Sequence, residues 1–361
     1  MSPIYRLSGH LCPTRPAPRQ PGRIVLILPC CIGDVVLATP VLQALRRAYP
    51  TAHITWAIGS WSRPAIARHP LLDSILDTGP AALPVKTPAG FVRFVRGLRA
   101  GHYDLAVSLV RSPLMSLALL LSGIPHRAGL DSAGRGFGYT IRAAIDPLQP
   151  RHEAEIYLDV PRALGLDVSG CRANIPVDAA DLERVRALLP GDKPLLIINP
   201  AGGRNPGMTL DVKRWPPGHF AALADRLAVK LDARLVLLAG PGDGAIIAAV
   251  QSRLQTPAQV FLGVLSFGEI AALASLSRLY IGNDTGLTHL AAAAGAPTAM
   301  ILGPSDPARY APFTDNALAL WKPARVQSGG VAQGAPADWD WTRDGISVDE
   351  AEERLLAFLP E

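Results

Sequence analysis

The sequence has little charge and few cysteines, and each shortage excludes a class of protein. Charged residues make up only 18% of the 361 residues and hydrophobic residues 49%, which argues against a disordered chain. The longest apolar run, near Leu114–Leu121, is well short of the ~20 residues that span a bilayer. The four cysteines (Cys12, Cys30, Cys31 and Cys171) show neither framework spacing nor a C-x-x-C motif. We therefore expect reduced thiols, a cytoplasmic protein and no metal site among them.

The first 22 residues lack the apolar stretch of about 7–15 residues that a secretory signal needs, so we expect a flexible tail. Positive charge is concentrated in the first half of the chain: residues 1–180 hold 19 Lys and Arg against 11 Asp and Glu, and residues 181–361 hold 16 against 19. A basic first half suits an anionic acceptor or a phospholipid surface, although solvated arginine-rich helix faces would explain it equally well. Dispersed arginines without a set of stacking aromatics argue against nucleic acid as a partner.

Strand and helix patterns alternate along the chain, and the alternation starts again after Pro190. Such alternation predicts two α/β domains with mostly parallel sheets. We expect a tail at 1–22, an N-terminal domain at 23–180 and a C-terminal domain at 181–361. The predicted strands are Arg23–Leu28, Ile54–Ile58, Ser74–Asp77, Leu105–Leu109, Pro194–Ile198, Arg234–Leu238 and Ser277–Ile281. The predicted helices are Val35–Ala48, Ala65–His69, Phe91–Ala100, Pro113–Ser122, Ala180–Leu189, His219–Leu231, Ala245–Arg253, Leu287–Ala294 and Val348–Phe358.

In each predicted domain, a polar segment follows the first strand. Asp34 lies between a strand end and a helix start, where ligands of α/β sheets bind; an N-cap role would explain it equally well. Gly202 and Gly203 lie in the loop after the strand that ends at Ile198, with Lys213 before the next helix. Small residues let backbone amides approach a phosphate, and a lysine adds positive charge. The Gly-Gly and Lys pattern alone is a weak signal.

The most informative segment is the turn between a strand and an alanine-rich helix that runs from Gly282 to His289. The amides of Thr285, Gly286 and Leu287 would point at an anion, whose charge the helix dipole favours. A helix cap requires one polar side chain, and this turn carries four. We therefore interpret it as an anion-binding turn. Its candidate ligand-binding residues are Asp284, Thr285, Gly286, Leu287, Thr288 and His289.

Two other motifs are weaker. Residues 240–245 (GPGDGA) match a relaxed dinucleotide fingerprint, but Pro241 is unusual there and no acidic residue follows about 20 positions on to hold a ribose. This disfavours a nicotinamide-dependent enzyme. Asp338-Trp339-Asp340 is formally a D-x-D metal motif, but it follows a loose stretch, Gln327–Asp338, instead of a strand. We interpret it as a solvated loop, and we expect neither a metal nor a cofactor.

Three segments together resemble the signature regions of the bacterial heptosyltransferase family: residues 32–50, 199–216 and 283–312. The resemblance covers about residues 22–360. It implies the GT-B architecture, in which two Rossmann-like α/β domains with mostly parallel sheets face each other. It also implies inverting, metal-independent transfer of heptose from ADP-L-glycero-D-manno-heptose to the lipopolysaccharide inner core, at the cytoplasmic face of the inner membrane.

The same resemblance implies roles for individual residues. The family's catalytic aspartate corresponds to Asp34 and its phosphate-binding lysine to Lys213, while residues 284–289 correspond to the stretch that holds the donor's diphosphate and sugar. The implied partners are an ADP-heptose donor and an anionic glycolipid or glycan acceptor, with peripheral membrane contact left open. Three alternatives remain: a GT-B enzyme for another nucleotide sugar or glycan, a nicotinamide-dependent enzyme, and a non-catalytic nucleotide-sugar-binding protein.

Overall fold

A computed structural model of the protein describes residues 13–146, 149–189, 191–205, 208–323 and 338–359. The chain forms two compact units that divide between Arg172 and Ala173. The first 12 residues of the predicted tail, and all but the last residue of the stretch Gln327–Asp338, lie outside the described residues. In the described remainder of the tail, the Arg15 amide donates a hydrogen bond to the Thr140 carbonyl, so this part lies against the N-terminal unit.

The N-terminal unit is built on a six-stranded, all-parallel sheet. Its strands are β1 (Arg23–Ile27), β2 (His53–Ile58), β3 (Ser74–Asp77), β4 (Leu105–Ser108), β5 (His126–Ser132) and β6 (Ile141–Ile145). Its helices are α1 (Ile32–Leu37), α2 (Thr39–Ala48), α3 (Pro88–Ala100), α4 (Pro113–Ser122) and α5 (Glu153–Ala163), with 3-10 turns at Arg63–Ala65 and Pro84–Lys86. The strand order is β3-β2-β1-β4-β5-β6, which places β1 beside β4 at the point where the winding direction reverses.

Two helix predictions in this unit need correction. The single helix predicted over Val35–Ala48 is two helices that meet at Ala38. Pro40 has no amide hydrogen to donate to the carbonyl of residue 36, and its ring would clash with that carbonyl, so the helix breaks here. The helix predicted at Ala65–His69 is wrong: a 3-10 turn at Arg63–Ala65 is followed by irregular turns, because the segment between Pro64 and Pro70 is too short for regular helical turns.

The C-terminal unit repeats the same architecture. Its strands are β7 (Leu195–Asn199), β10 (Arg234–Ala239), β11 (Ala258–Leu262), β12 (Ser277–Asn283), β13 (Thr298–Ile301) and β14 (Ala317–Leu320), with a short antiparallel pair, β8 (Arg204–Asn205) and β9 (Met208–Thr209). Its helices are α6 (Ala179–Ala187), α7 (Pro217–Lys230), α8 (Gly244–Gln251), α9 (Phe267–Ser275), α10 (Gly286–Ala293), α11 (Pro307–Tyr310), α12 (Trp341–Asp344) and α13 (Val348–Phe358), with a 3-10 turn at Asp211–Lys213.

The parallel strand order β11-β10-β7-β12-β13-β14 matches that of the first unit, with β7 beside β12 at the reversal. All five residues of β7 are buried, as expected for a strand covered on both faces. Trp215 and Phe220 pack into the same core, and the Trp215 indole donates to the Ile346 carbonyl near the start of α13. The final helix therefore belongs to this unit. Two parallel six-stranded sheets with helices confirm the predicted α/β fold class.

No helix within the described ranges combines the length and hydrophobicity needed to cross a membrane.

Candidate functional site

Asp34 lies in the first turn of α1, directly after the loop that leaves β1. The ends of β1 and β4 are level, with Ile27 paired to Ser108, so the loops after both strands leave the sheet side by side. No side chain caps the start of α1, and Asp34 remains partly exposed. The carboxylate therefore lies where the topology of the unit favours ligand binding.

Three side chains surround the Asp34 carboxyl in the N-terminal unit. The Tyr157 hydroxyl, on α5, donates a 2.9 Å hydrogen bond to Oδ1 of Asp34. Glu153, one helical turn earlier, acts on Asp34 through its charge, and Arg111, from the loop after β4, forms an ion pair with Glu153. Glu153 and Tyr157 are both buried. A charged network thus connects α5 to the ends of β1 and β4.

The network changes the acidity of Asp34. Desolvation has the largest effect and raises the pKa of Asp34, and the negative charge of Glu153 raises it further. Hydrogen bonds from Tyr157 and the Cys31 backbone, together with the charge of Arg111, lower it. The pKa of Asp34 is raised from 3.8 to about 6. At neutral pH the group is therefore ionised, and it is more basic than an ordinary aspartate. Carboxylates tuned in this way suit general-base catalysis.

The residues before Asp34 depart from the sequence prediction. A disulfide joins Cys30 and Cys31 across a cis peptide bond, so the expectation that these thiols are reduced is wrong. Neighbouring cysteines have no framework spacing, which is why the sequence did not indicate the pair. Cys171 is a buried free thiol.

In the C-terminal unit, Asp284 follows the central strand β12 and is buried. The Lys213 ammonium and the Ser305 hydroxyl each donate a 2.6 Å hydrogen bond to its Oδ2 atom. Desolvation alone would raise the pKa of Asp284, but the charges of Lys213 and His289 and the two hydrogen bonds outweigh it, so the pKa of Asp284 is lowered. The carboxylate is thus ionised at neutral pH and fixes the position of Lys213.

The turn after Asp284 leads into α10. Thr285, Gly286 and Leu287 are partly exposed, whereas Thr288 and His289 are buried beneath them. No side chain caps α10, and the first amides of a helix have no partner within it. The front of the turn can therefore receive an anion. The Thr288 hydroxyl donates to the Asn283 carbonyl, so it supports the turn from behind.

Gly202 and Gly203 have structural reasons to be glycine. Their φ angles are +121° and +75°, where other residues are strained. A Cβ atom on Gly202 would lie 1.9 Å from Cγ2 of Thr285, and one on Gly203 would lie 2.5 Å from the Leu210 carbonyl oxygen. The backbone of the loop after β7 therefore packs closely against the anion-accepting turn at Thr285.

Two supporting residues were not among the predicted site residues. Asn283, fully buried at the end of β12, accepts from the Trp215 amide and donates to the carbonyls of Pro200 and Ala201. Ser305 is fully buried against Asp284. Both lie inside the segments that carry the family resemblance, and a buried polar residue at a strand end is the signal that could have indicated Asn283.

A basic carboxylate in one Rossmann-like unit and an anion-accepting turn in the other are groups that a glycosyltransferase with a nucleotide-sugar donor needs. Residues 91–332 match glycosyltransferase family 9 (heptosyltransferase). Lipopolysaccharide heptosyltransferase 2 of Salmonella typhimurium is 27% identical over 333 residues, which cover 86% of this chain and 92% of that protein. The protein belongs to glycosyltransferase family 9, the heptosyltransferases, as the three sequence segments predicted.

Solved structures agree with the fold. The crystal structure of a family 9 glycosyl transferase from Veillonella parvula matches with a TM-score of 0.78 at 24% identity, over 94% of this chain and 97% of that one. The Escherichia coli ADP-heptose lipopolysaccharide heptosyltransferase II matches with a TM-score of 0.72 at 22% identity, over 93% of this chain and 98% of that one. At these identities the likeness concerns the fold alone, and it confirms the GT-B prediction.

Proposed function

We propose that the protein transfers heptose from ADP-L-glycero-D-manno-heptose to an acceptor hydroxyl of the lipopolysaccharide inner core, with inversion and without a metal ion. The observation that carries this proposal is the partly exposed Asp34 carboxylate, whose pKa of about 6 makes it a competent base. The family and the relatives that act on lipopolysaccharide support the choice of substrates. The compact units divide between Arg172 and Ala173, and domain bounds at 23–180 and 181–361 stay a prediction.

In this mechanism Asp34 removes the proton of the acceptor hydroxyl as that oxygen attacks the anomeric carbon opposite the diphosphate. A single displacement inverts the configuration. Lys213 and the amides at the start of α10 stabilise the negative charge that develops on the leaving ADP, a role that preorganised dipoles perform well. Asp284 orients Lys213, while Gly202 and Gly203 let the backbone approach the diphosphate. Thr288 supports the turn through the Asn283 carbonyl, and His289 orients the hydroxyl groups of the donor sugar.

The test is incubation of the purified protein with ADP-heptose and inner-core acceptors, with product mass and anomeric configuration as the readouts. Asp34→Asn should lower turnover by about 10²-fold or more, while ADP affinity by calorimetry stays within a few-fold. Asp167→Asn, an exposed aspartate of the same unit, is the matched control. Retained turnover in Asp34→Asn would reject the assigned base. Tighter binding of UDP, GDP or a nicotinamide dinucleotide than of ADP would reject the donor.

Peripheral contact with an anionic membrane surface is part of the same proposal. Helix α3 exposes Arg93 and Arg96 beside Val92, which is 46% exposed. These three residues line a shallow groove of about 550 Å³. Cationic and apolar groups side by side suit phospholipid headgroups and the adjacent acyl region.

Sedimentation with vesicles tests this contact. The protein should bind vesicles that contain phosphatidylglycerol, and Arg93→Gln/Arg96→Gln should weaken the binding by about 30-fold, since each basic residue near an anionic surface contributes about 1 kcal/mol. Arg184→Gln/Arg186→Gln on α6 removes the same charge elsewhere. Equal losses in the two double variants would contradict a specific contact at α3.

A further inference from the structure

Helix α5 presents two buried polar side chains toward the network around Asp34. Glu153 and Tyr157 are four residues apart, so they lie on one face of the helix. Tyr157 donates directly to the Asp34 carboxylate, and Glu153 is held by Arg111. Burying these polar groups costs free energy unless they are paired. The transfer mechanism above assigns no role to Tyr157, Glu153 or Arg111.

We propose that Tyr157 and Glu153 are positioning residues that set the orientation and the basicity of Asp34, with Arg111 holding Glu153 in place. The inference rests on the proposed function, in which Asp34 is the base. The Tyr157 hydroxyl fixes one carboxylate oxygen through the hydrogen bond and so limits the rotation of the side chain. The negative charge of Glu153 acts on Asp34 and favours transfer of a proton to Asp34 from the acceptor.

The two residues act on Asp34 with opposite signs. A hydrogen bond donated to a carboxylate favours the ionised form, whereas a neighbouring negative charge favours the protonated form. Tyr157 accordingly lowers the pKa of Asp34 and Glu153 raises it. The resulting basicity is a balance, and removal of either partner should move it in a predictable direction.

The remaining charged groups nearby have other partners. Helix α2 and the 3-10 turn at Arg63–Ala65 also pack against α1. Their arginines form ion pairs with other carboxylates: Arg46 with Asp73, Arg47 with Asp167 and Arg63 with Asp77. On α5 itself, Glu155 and Asp159 pair with Arg162. The groups with the largest effects on the pKa of Asp34 are Glu153, Tyr157, the backbone of Cys31 and Arg111.

The test is the pH dependence of kcat/KM, which reports the pKa of the essential base in the free enzyme. The acid limb is the low-pH side of this profile, where kcat/KM falls as the base becomes protonated. In Tyr157→Phe it should move to higher pH by roughly half a unit or more, and in Glu153→Gln to lower pH by a similar amount. Tyr139→Phe and Glu155→Gln are matched controls with no shift expected. Tyr139 is a buried tyrosine that donates to Ser108, and Glu155 lies on the same helix as Glu153.

The double variant Arg111→Gln/Glu153→Gln keeps the test valid if Glu153→Gln fails to fold, because it removes both members of the ion pair. Its acid limb should shift down by less than that of Glu153→Gln, since the opposing charge of Arg111 is also lost. Acid limbs that stay in place, or that move in the same direction for Tyr157→Phe and the Glu153 variants, would overturn the proposal.

The Asp34→Asn variant separates the two proposals. If it retains turnover, the assignment of Asp34 as base fails. If it loses turnover while the Tyr157 and Glu153 variants keep the wild-type acid limb, the base stands and the positioning role fails.

Discussion

Replacing Asp34 by Asn should make the N-terminal unit more stable at neutral pH. The pKa of Asp34 is raised from 3.8 to about 6, first by desolvation and then by the charge of Glu153. The pKa of such a carboxyl is higher in the folded protein than in the unfolded chain. Its contribution to the free energy of unfolding is complete below the pKa of the unfolded chain and is lost as pH rises through the pKa of the folded protein. The fold therefore loses stability between about pH 4 and pH 6 as Asp34 becomes ionised, and asparagine, which cannot ionise, avoids this loss.

The size of the effect follows from the shift. Roughly two pKa units at ~1.4 kcal/mol each set an upper limit of about 3 kcal/mol on the gain. Asparagine keeps a polar side chain beside Tyr157 and Glu153, so we expect about 1–3 kcal/mol. For a cooperative unit of this size, about 2 kcal/mol corresponds to a rise in Tm of ~4–8 °C.

The assay is thermal denaturation of wild type and Asp34→Asn from about pH 4 to about pH 8. The difference in Tm should be small at the lower pH, grow between about pH 4 and pH 6, and level off above pH 6. Asp167→Asn should show no such growth, because hydrogen bonds from Ser169 lower the pKa of Asp167 and its carboxylate is already ionised across this range. A gain in Tm that is equal at both ends of the range, or absent at pH 8, would refute the reasoning.

Two further predictions concern the C-terminal unit. Gly202→Ala should weaken ADP binding at least about tenfold in calorimetry, because its Cβ would collide with Thr285. Gly295→Ala is the matched control, because Gly295 also has a positive φ but no atom lies within 4 Å of a Cβ placed there. If both variants lose the same ADP affinity, backbone strain and not the collision with Thr285 is the cause. Ser305→Ala should weaken ADP binding by about 1–1.5 kcal/mol, because the buried Asp284 loses a donor; no change relative to Ser275→Ala would contradict this.

The sequence predicted the repeated α/β organisation because buried parallel strands are continuous apolar runs between helical patterns. Ser74–Asp77, Pro113–Ser122 and Val348–Phe358 have the predicted bounds. The polar turn at residues 284–289 was visible because its side chains crowd one strand end. The roles of these residues in binding the donor remain predictions.

Contacts between distant segments were not visible in the sequence. Helix α5 was missed because it begins with two glutamates and contains Pro161 near its end, so its apolar pattern is weak. Without that helix, nothing connects Tyr157 to Asp34, 123 positions earlier. Ser305 lies 21 residues after Asp284, and only the parallel pairing of β12 with β13 brings their loops together.

Each unit is formed from one uninterrupted stretch of chain, with the last helix packed in the second unit. Such an arrangement suits the construction of chimeras. Replacing everything after Arg172 with the corresponding stretch of another family member should exchange donor preference in a single splice, while the network around Asp34 passes intact to the hybrid enzyme.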